Sequence, residues 1–309
     1  MYYLKEALPG HEFVIINMDE TKLQHDWVQE KGWTTNFPVA KVMTANFKQR
    51  VDRAATRAQT TLLAMIISDP ALQRHVPQIL LPYDTERRPM SAQMRNLLQS
   101  YQHPVTYMRG SNGWCTQEVM CDVLTCLRAW MRRYCPGKRL VLMIDAMSAH
   151  VTKEVLQMAA RYQIFILLIP GSCTWLLQPL DVFVFHLLKE RLRSKCLRIK
   201  ANSENGMVGT FDWIAVVHDA VHEILVNITW DQCFEKVGIS TDLLRCSHHL
   251  QAFLPDIGSI VPRAWTSAEV DIILGRHRVD LAPLIFSAAR ISIARRAQLE
   301  AGAPPVENG

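Results

Sequence analysis

Residues 140–150 read LVLMIDAMSAH. Five apolar residues run without polar alternation into Asp145, and His150 follows five positions later. An unbroken apolar run of this length, bounded by turn residues, reads as a strand buried on both faces. A carboxylate at the end of such a strand either opens onto the edge of the sheet or needs a partner, because an unpaired buried charge is costly. Two other segments supply partners. FVIINMDE, residues 13–20, is a second apolar strand ending in Asp19, and LLQPLD, residues 176–181, ends in Asp181. The three aspartates form the candidate site.

Working outward from residue 150, Thr152 can cap a helix over TKEVLQMAARY, and IFILLIP (164–170) is another continuous apolar run. A strand, a helix and a second buried strand make a βαβ unit with parallel pairing. On the other side, Thr116 is a candidate N-cap for TQEVMCDVLTCLRAWMRRY, which keeps helical apolar spacing to Tyr134 and stops at Cys135-Pro136-Gly137. PVAKVMTANF (38–47) and TTLLAMIIS (60–68) read as strands joined by KQRVDRAATRAQ, a hairpin tip carrying Lys48, Arg50, Arg53 and Arg57. Sequential strands usually pair, so the first three strands are expected as an antiparallel meander. Residues 20–36 read as a loop or short helix. Five prolines between 69 and 113 exclude long elements there, leaving VPQILLP as a short strand and SAQMRNLLQSY as a helix. From Asp181 onward DVFVFHLLKERLRSKCLRIK reads as one long helix, followed by a linker at 203–209 and helical FDWIAVVHDAVHEILVNI and TWDQCFEKVGI, the last closed by Gly238. TSAEVDIILGRH has a capping box of Thr266 and Glu269, and GAPPVENG is a tail. Trp114, Trp130 and Trp175 read as core aromatics. The expected fold class is α/β, a mixed five-stranded sheet flanked by helices with a helical C-terminal extension.

The 309 residues are 49% hydrophobic and 20% charged, enough for a large core and too apolar for wholesale disorder. No apolar run approaches the roughly 20 residues of a membrane span, and the N-terminus lacks a signal-peptide core, so no membrane is expected. None of the eight cysteines forms a CxxC pair, which fits reduced thiols of a cytosolic or nuclear protein. Cys246, His248 and His249 lack a fourth partner at ligand spacing and are not read as a metal site. The net charge is +5, and the segment from Lys189 to Lys200 alone carries that much: Lys189, Arg191, Arg193, Lys195, Arg198 and Lys200 against Glu190. A cation-rich helix of this kind is either a solvated face or a track for a phosphate backbone; Arg50 and Arg53 are further candidates for nucleic-acid contact.

Carboxylates gathered in one place repel, so some are protonated or paired with a cation. Mg²⁺ or Mn²⁺ suits such a set, because hard oxygen ligands suit hard cations. Two such ions about 4 Å apart clamp a phosphodiester, activating a water on one side and stabilising the leaving oxygen on the other. If the strands at 13–18 and 140–144 are parallel neighbours, Asp19 and Asp145 emerge side by side, and Asp181 swings over both.

The sequence context of the three residues is more specific than their spacing. NMDET around Asp19, IDAMSAH around Asp145 and LLQPLDVFVFHLLK around Asp181 together resemble the DDE-type transposases, and within the mariner superfamily their pogo, Tigger and centromere-protein-B branch. The 35 residues between Asp145 and Asp181 match that branch. TTLLAMIISD, SNGWCTQEV and ITWDQCFEKVGI match in order, so the resemblance runs from about residue 13 to about 240. It implies a ribonuclease-H-like fold and Mg²⁺-dependent cleavage and strand transfer of DNA. Carried over by motif, Asp19, Asp145 and Asp181 are the implied catalytic, metal-binding carboxylates, and His150 lies beside the site rather than on the metal. The sequence departs from the pattern at Lys22 and Phe183, where the branch usually has glycine, and a bulky Phe183 either crowds the site or faces the core. The chain begins 18 residues before Asp19, without the helix-turn-helix modules of full-length relatives, so a fragment or a reduced core is expected.

The domain expectation is a catalytic domain over 1–200, its helical continuation over 201–240, and an extension over 241–309. The leading functional expectation is a nuclear transposase-like endonuclease core from a transposable element, acting on DNA as a possible homodimer. The rivals are a domesticated, catalytically inactive DNA- or chromatin-binding protein and a ribonuclease-H-like nuclease unconnected with transposition.

Overall fold

The structure is a computed structural model that describes residues 10–24, 59–82, 92–101, 105–108, 113–169, 173–203, 208–239 and 247–253. The strand expected at 38–47, its basic hairpin tip with Arg50 and Arg53, and nearly all of the 241–309 extension lie outside the described residues. Six strands form one mixed sheet: β1 (Phe13–Gln24), β2 (Gln59–Ile67), β3 (Ile79–Leu81), β4 (Thr106–Tyr107), β5 (Arg139–Asp145) and β6 (Ile164–Ile169), in the order β4-β3-β2-β1-β5-β6. Four of the five expected strands are present as β1, β2, β5 and β6; β3 is the short strand read in VPQILLP, and the two-residue β4 has no counterpart in the sequence reading. β1 pairs antiparallel with β2 and parallel with β5, and β5 pairs parallel with β6. The crossover between β5 and β6 is the expected helix.

The helices follow the caps read from the sequence. α1 is Ala92–Gln99; α2 is Gln117–Tyr134, whose first turn is capped by Thr116 accepting from the Val119 amide; α3 is Lys153–Tyr162, capped in the same way by Thr152. α4 (Thr174–Leu177) leads through a π-turn, Leu180–Val184, into α5 (Phe185–Asn202). α6 (Thr210–Val221) ends in a second π-turn, His222–Val226, and α7 (Asp231–Lys236) and α8 (His248–Phe253) follow. Gly238, just past α7, has a positive φ of 85° and supports the helix end that its position suggests.

Two cores sandwich the sheet, and strand alternation assigns each side chain to one of them. Val14, Ile16 and Met18 of β1 with Leu142 and Ile144 of β5 pack on α2 and α3. Ile15 and Leu23 of β1 with Val141 and Met143 of β5 pack on α5 and α6. Trp130 lies in the first core, as expected. Trp114 and Trp175 do not: they are 52% and 58% exposed, and both sit in connectors ahead of or within short elements rather than on a sheet-facing stripe.

One strand boundary differs in a way that matters for the site. β1 does not stop at Asp19 but continues to Gln24, because β2 offers it a partner over that whole length, from Asp19 opposite Ala64 to Gln24 opposite Gln59. The β5 ladder on its other edge ends at Asn17 opposite Met143. Asp19 therefore lies within a strand, at the point where one of its two neighbours stops.

Candidate active site

Alternation along β1 and β5 puts Asn17 and Asp19, with Val141, Met143 and Asp145, on the side of the sheet that faces α5. Asn17 is fully buried in the middle of an apolar strand, and its amide explains itself by what it holds. Its Nδ2 donates to the Met143 carbonyl at 3.1 Å, and its Oδ1 accepts from the Leu180 amide at 3.0 Å. The residue after Leu180 is Asp181. Asn17 thus pins the start of the π-turn to the two central strands, two residues before each of Asp19 and Asp145.

The result is that the three aspartates converge although Asp181 is far from the others in sequence. Asp19 is buried and shares a hydrogen bond with Asp181, and the Glu20 amide donates to its Oδ1 at 2.7 Å. Burial, followed by the charges of Asp181 and Asp145, pushes the Asp19 pKa up to about 8, against the opposing pull of the Glu20 amide. Asp181 stands at the open edge of the site; its pKa is raised too, by partial desolvation, with its bond to Asp19 and the Lys189 charge acting the other way. A set of oxygen ligands that holds an extra proton when metal-free is chemically suited to a hard divalent cation, which would replace that proton.

Behind Asp145 lies a second group of residues. His150, in a 3-10 turn at Ser148–His150, is fully buried. Its Nδ1 donates to Asp145 Oδ1 at 2.7 Å and its Nε2 donates to Glu20 Oε1 at 3.1 Å. Burial by itself lowers the imidazole pKa, but the bonds with Asp145, Cys115 and Glu20 outweigh it and push the value up to about 12. The ring is a cation clamped between two carboxylates, and it fixes the orientation of Asp145. Glu20, Cys115 and His150 also bring one ligand atom each within 4.8 Å of one another. Strand alternation places Glu20 on the α2 side of the sheet, opposite to Asp19.

Phe183 does not crowd the aspartates. It packs into the α5-side core with its ring 5.3 Å from that of His249 in α8, and Lys236 of α7 lies over it at 5.4 Å. Lys22, the other departure from the expected pattern, places its ammonium 4.0 Å above the exposed Trp114 ring. The basic run of α5 divides. Arg191 is ion-paired with Glu223, and Lys195 with Asp219 at 3.3 Å and Glu223 at 2.9 Å, tying α5 to α6 and its π-turn. Lys189 faces Asp181, and Arg198 is exposed.

Of the candidates, Asp19, Asp145 and Asp181 come together with His150 beside them. Asn17, Glu20 and Cys115 were not singled out by the sequence. Asn17 had a signal, being an uncharged polar residue inside a strand buried on both faces. Glu20 and Cys115 had none, since their meeting depends on how the loop before α2 crosses the sheet.

A mixed sheet layered between helices, with carboxylates from two adjacent strands and a following helix at one edge, defines a ribonuclease-H-like α/β protein with an acidic centre. Residues 83–241, half of the chain, match the family described as DDE superfamily endonuclease, and the chain belongs to that family. The match includes Asp145 and Asp181 but begins after Asp19, so Asp19 joins the set on geometry. The chain is also similar to the "Pogo transposable element with KRAB domain" proteins of Mus musculus, 29% identical over 144 residues, and Homo sapiens, 28% over 144 residues. Each alignment covers 42% of this chain and 23% of the relative's length. The seven described cysteines are free, and among the described residues no helix is long and apolar enough to cross a membrane.

Proposed function

We propose that this chain is the catalytic core of a transposase-type DNA endonuclease, in which Asp19, Asp145 and Asp181 hold Mg²⁺ or Mn²⁺. The observation that carries the reading is the convergence of three carboxylates on Asp19, whose pKa is raised to about 8 by its burial first and by the charges of Asp181 and Asp145 after it. When bound, such an ion supplies Lewis-acid polarisation of a phosphodiester and lowers the pKa of a water.

The chain's own residues do the positioning. Asn17 holds the backbone of the Asp181 segment against β1 and β5. His150 fixes Asp145 from behind, leaving its other oxygen for the site. Lys189, two turns into the helix after Asp181, provides a cation beside the acidic centre where a phosphate would approach. The exposed cations of α5, Arg198 among them, and Arg50 and Arg53 are assigned to DNA-backbone contact. Strand transfer, action on paired DNA ends by a homodimer and a nuclear location belong to the same reading. The related pogo proteins, named for a transposable element, support it.

Nicking of supercoiled plasmid with Mn²⁺ or Mg²⁺ tests the proposal. Wild type should nick and Asp145→Asn should not. Identical backgrounds for the two proteins would remove catalysis and leave a DNA-binding protein with this fold; cleavage of RNA–DNA hybrids without strand transfer would favour a general nuclease.

A further inference from the structure

We propose that Glu20, Cys115 and His150 form a second metal site, for a thiophilic divalent ion of the Zn²⁺ class, on the face of the sheet opposite the three aspartates. The three ligand atoms come from β1, from the loop that precedes α2 and from the turn after β5, and all lie within 4.8 Å of one another. A thiolate, an imidazole nitrogen and a carboxylate oxygen are the ligand types Zn²⁺ takes, and three protein ligands with a fourth position open is a common arrangement for it.

The histidine is arranged as metal-bound histidines usually are. Its Nδ1 donates to Asp145 at 2.7 Å, which fixes the ring and directs Nε2 at Glu20. Two ligand atoms each about 2.0–2.2 Å from a tetrahedral ion lie roughly 3.3–3.6 Å apart. The present Nε2 to Oε1 distance of 3.1 Å needs only a small opening to admit one. The ion takes the place of the proton that Nε2 now gives to Glu20 and of the thiol proton of Cys115. A divalent ion against one thiolate and one carboxylate leaves no net charge, which suits a site whose histidine and cysteine are both buried.

The cysteine is also held in place. The Thr61 hydroxyl donates to the Gly113 carbonyl at 2.5 Å, and Gly113 has a φ of 68° that lets the loop turn there. Thr116 then caps α2, so Cys115 is fixed from both sides. Ligand chemistry separates the two centres. The aspartates offer only oxygen and an open edge, which suits Mg²⁺ with its retained waters. The buried sulfur and nitrogen of the second site select a softer ion. The proposal does not rest on the nuclease reading, since these ligands meet whether or not the aspartates cut DNA.

Co²⁺ titration of the metal-free 309-residue chain is the test, with Co²⁺ standing in for Zn²⁺. We expect one equivalent to give a thiolate-to-Co²⁺ charge-transfer band in the near ultraviolet. It should be displaced by Zn²⁺, be unaffected by excess Mg²⁺, survive Asp181→Asn and vanish in Cys115→Ser. No such band in wild type, or a band that persists in Cys115→Ser, would overturn the site. Should Cys115→Ser fail to fold by circular dichroism, Glu20→Gln gives an independent arm. It should weaken Co²⁺ binding at least about tenfold, and unchanged affinity would also overturn the assignment.

Discussion

Asp19 and Glu20 are consecutive, both acidic and both on β1, yet they end in opposite environments. Asp19 turns toward α5, meets two more carboxylates and is pushed to hold its proton up to about pH 8. Glu20 turns toward α2 and meets the cationic ring of His150. One face of the sheet gathers carboxylates that share an extra proton when metal-free; on the other, the protonated ring of His150 balances the carboxylates as long as no ion takes its place. The difference comes from strand alternation. It teaches that a pair of adjacent acids in a motif need not share a job, and that Asp145, at the strand end, belongs to both sides.

The largest effects should come from the aspartates. Asp19→Asn and Asp145→Asn are each expected to lower metal-dependent nicking by about a thousandfold or more, since charge stabilisation by such an ion is worth several kcal/mol and each 1.36 kcal/mol is tenfold. Glu20→Gln keeps a hydrogen-bond acceptor for His150 and should cost far less, within about tenfold on the general scale of groups that orient metal ligands. Initial nicking rates measure both, and equal losses at Asp19 and Glu20 would erase the distinction between the faces.

Next comes the anchor that builds the acidic face. Asn17→Leu leaves the Leu180 amide and the Met143 carbonyl without their partner, at about 1–3 kcal/mol for each buried group stranded. Chemical denaturation should show that loss. Because Asp181 follows Leu180, nicking should fall as well, whereas Co²⁺ binding at Glu20, Cys115 and His150 should persist.

The pH dependence of stability sharpens the contrast further. Between its ordinary 3.8 and about 8, folded Asp19 keeps a proton that the unfolded chain releases. The metal-free protein therefore loses stability as pH rises through that window. His150 acts in the same direction, but only above 6.5, where the unfolded imidazole loses its proton while the folded one holds it toward about 12. The range from about pH 4 to 6.5 thus separates the aspartates, Asp19 and with it Asp181, whose pKa is also raised, from His150. The wild-type melting temperature minus that of Asp19→Asn should decline across it, and added Mn²⁺ should reverse the decline.

The strands, the βαβ crossover and both threonine caps were legible because each depends on local periodicity or a single side chain. Asp145 and Asp181 were legible because a strand end and a helix start are local features too, whereas Asp19, read as a strand end but set inside β1, was marked by the NMDET motif around it. Asn17 was half-legible: a polar residue in FVIINMDE was visible, but its two partners lie 126 and 163 residues away. The end of β1 was misplaced because a strand's length is set by the neighbour it pairs with, and β2 supplies that neighbour. Trp114 was misjudged because size and apolarity suggest burial, whereas its connector carries it out under Lys22.

The smallest effects should come from the cations of α5, and they bear on which part of the acidic face meets DNA. A helix with six basic residues in twelve looks uniform in sequence, but the fold commits Arg191 and Lys195 to Glu223 and Asp219. A cation already paired releases few counterions when DNA binds. Each new phosphate contact steepens the dependence of log affinity on log salt by roughly 0.9. Arg198→Ala should therefore flatten that slope by about 1, and Lys195→Ala should change it little while only slightly altering stability, as exposed pairs do. Binding isotherms at several salt concentrations decide between them. If Lys195→Ala flattens the slope as much as Arg198→Ala, the ion pairs with α6 break on binding and the DNA track covers the whole helix. If neither does, the phosphate backbone runs instead past Lys189 at the mouth of the acidic site, and the charge of the rest of the helix serves to hold α5 against α6.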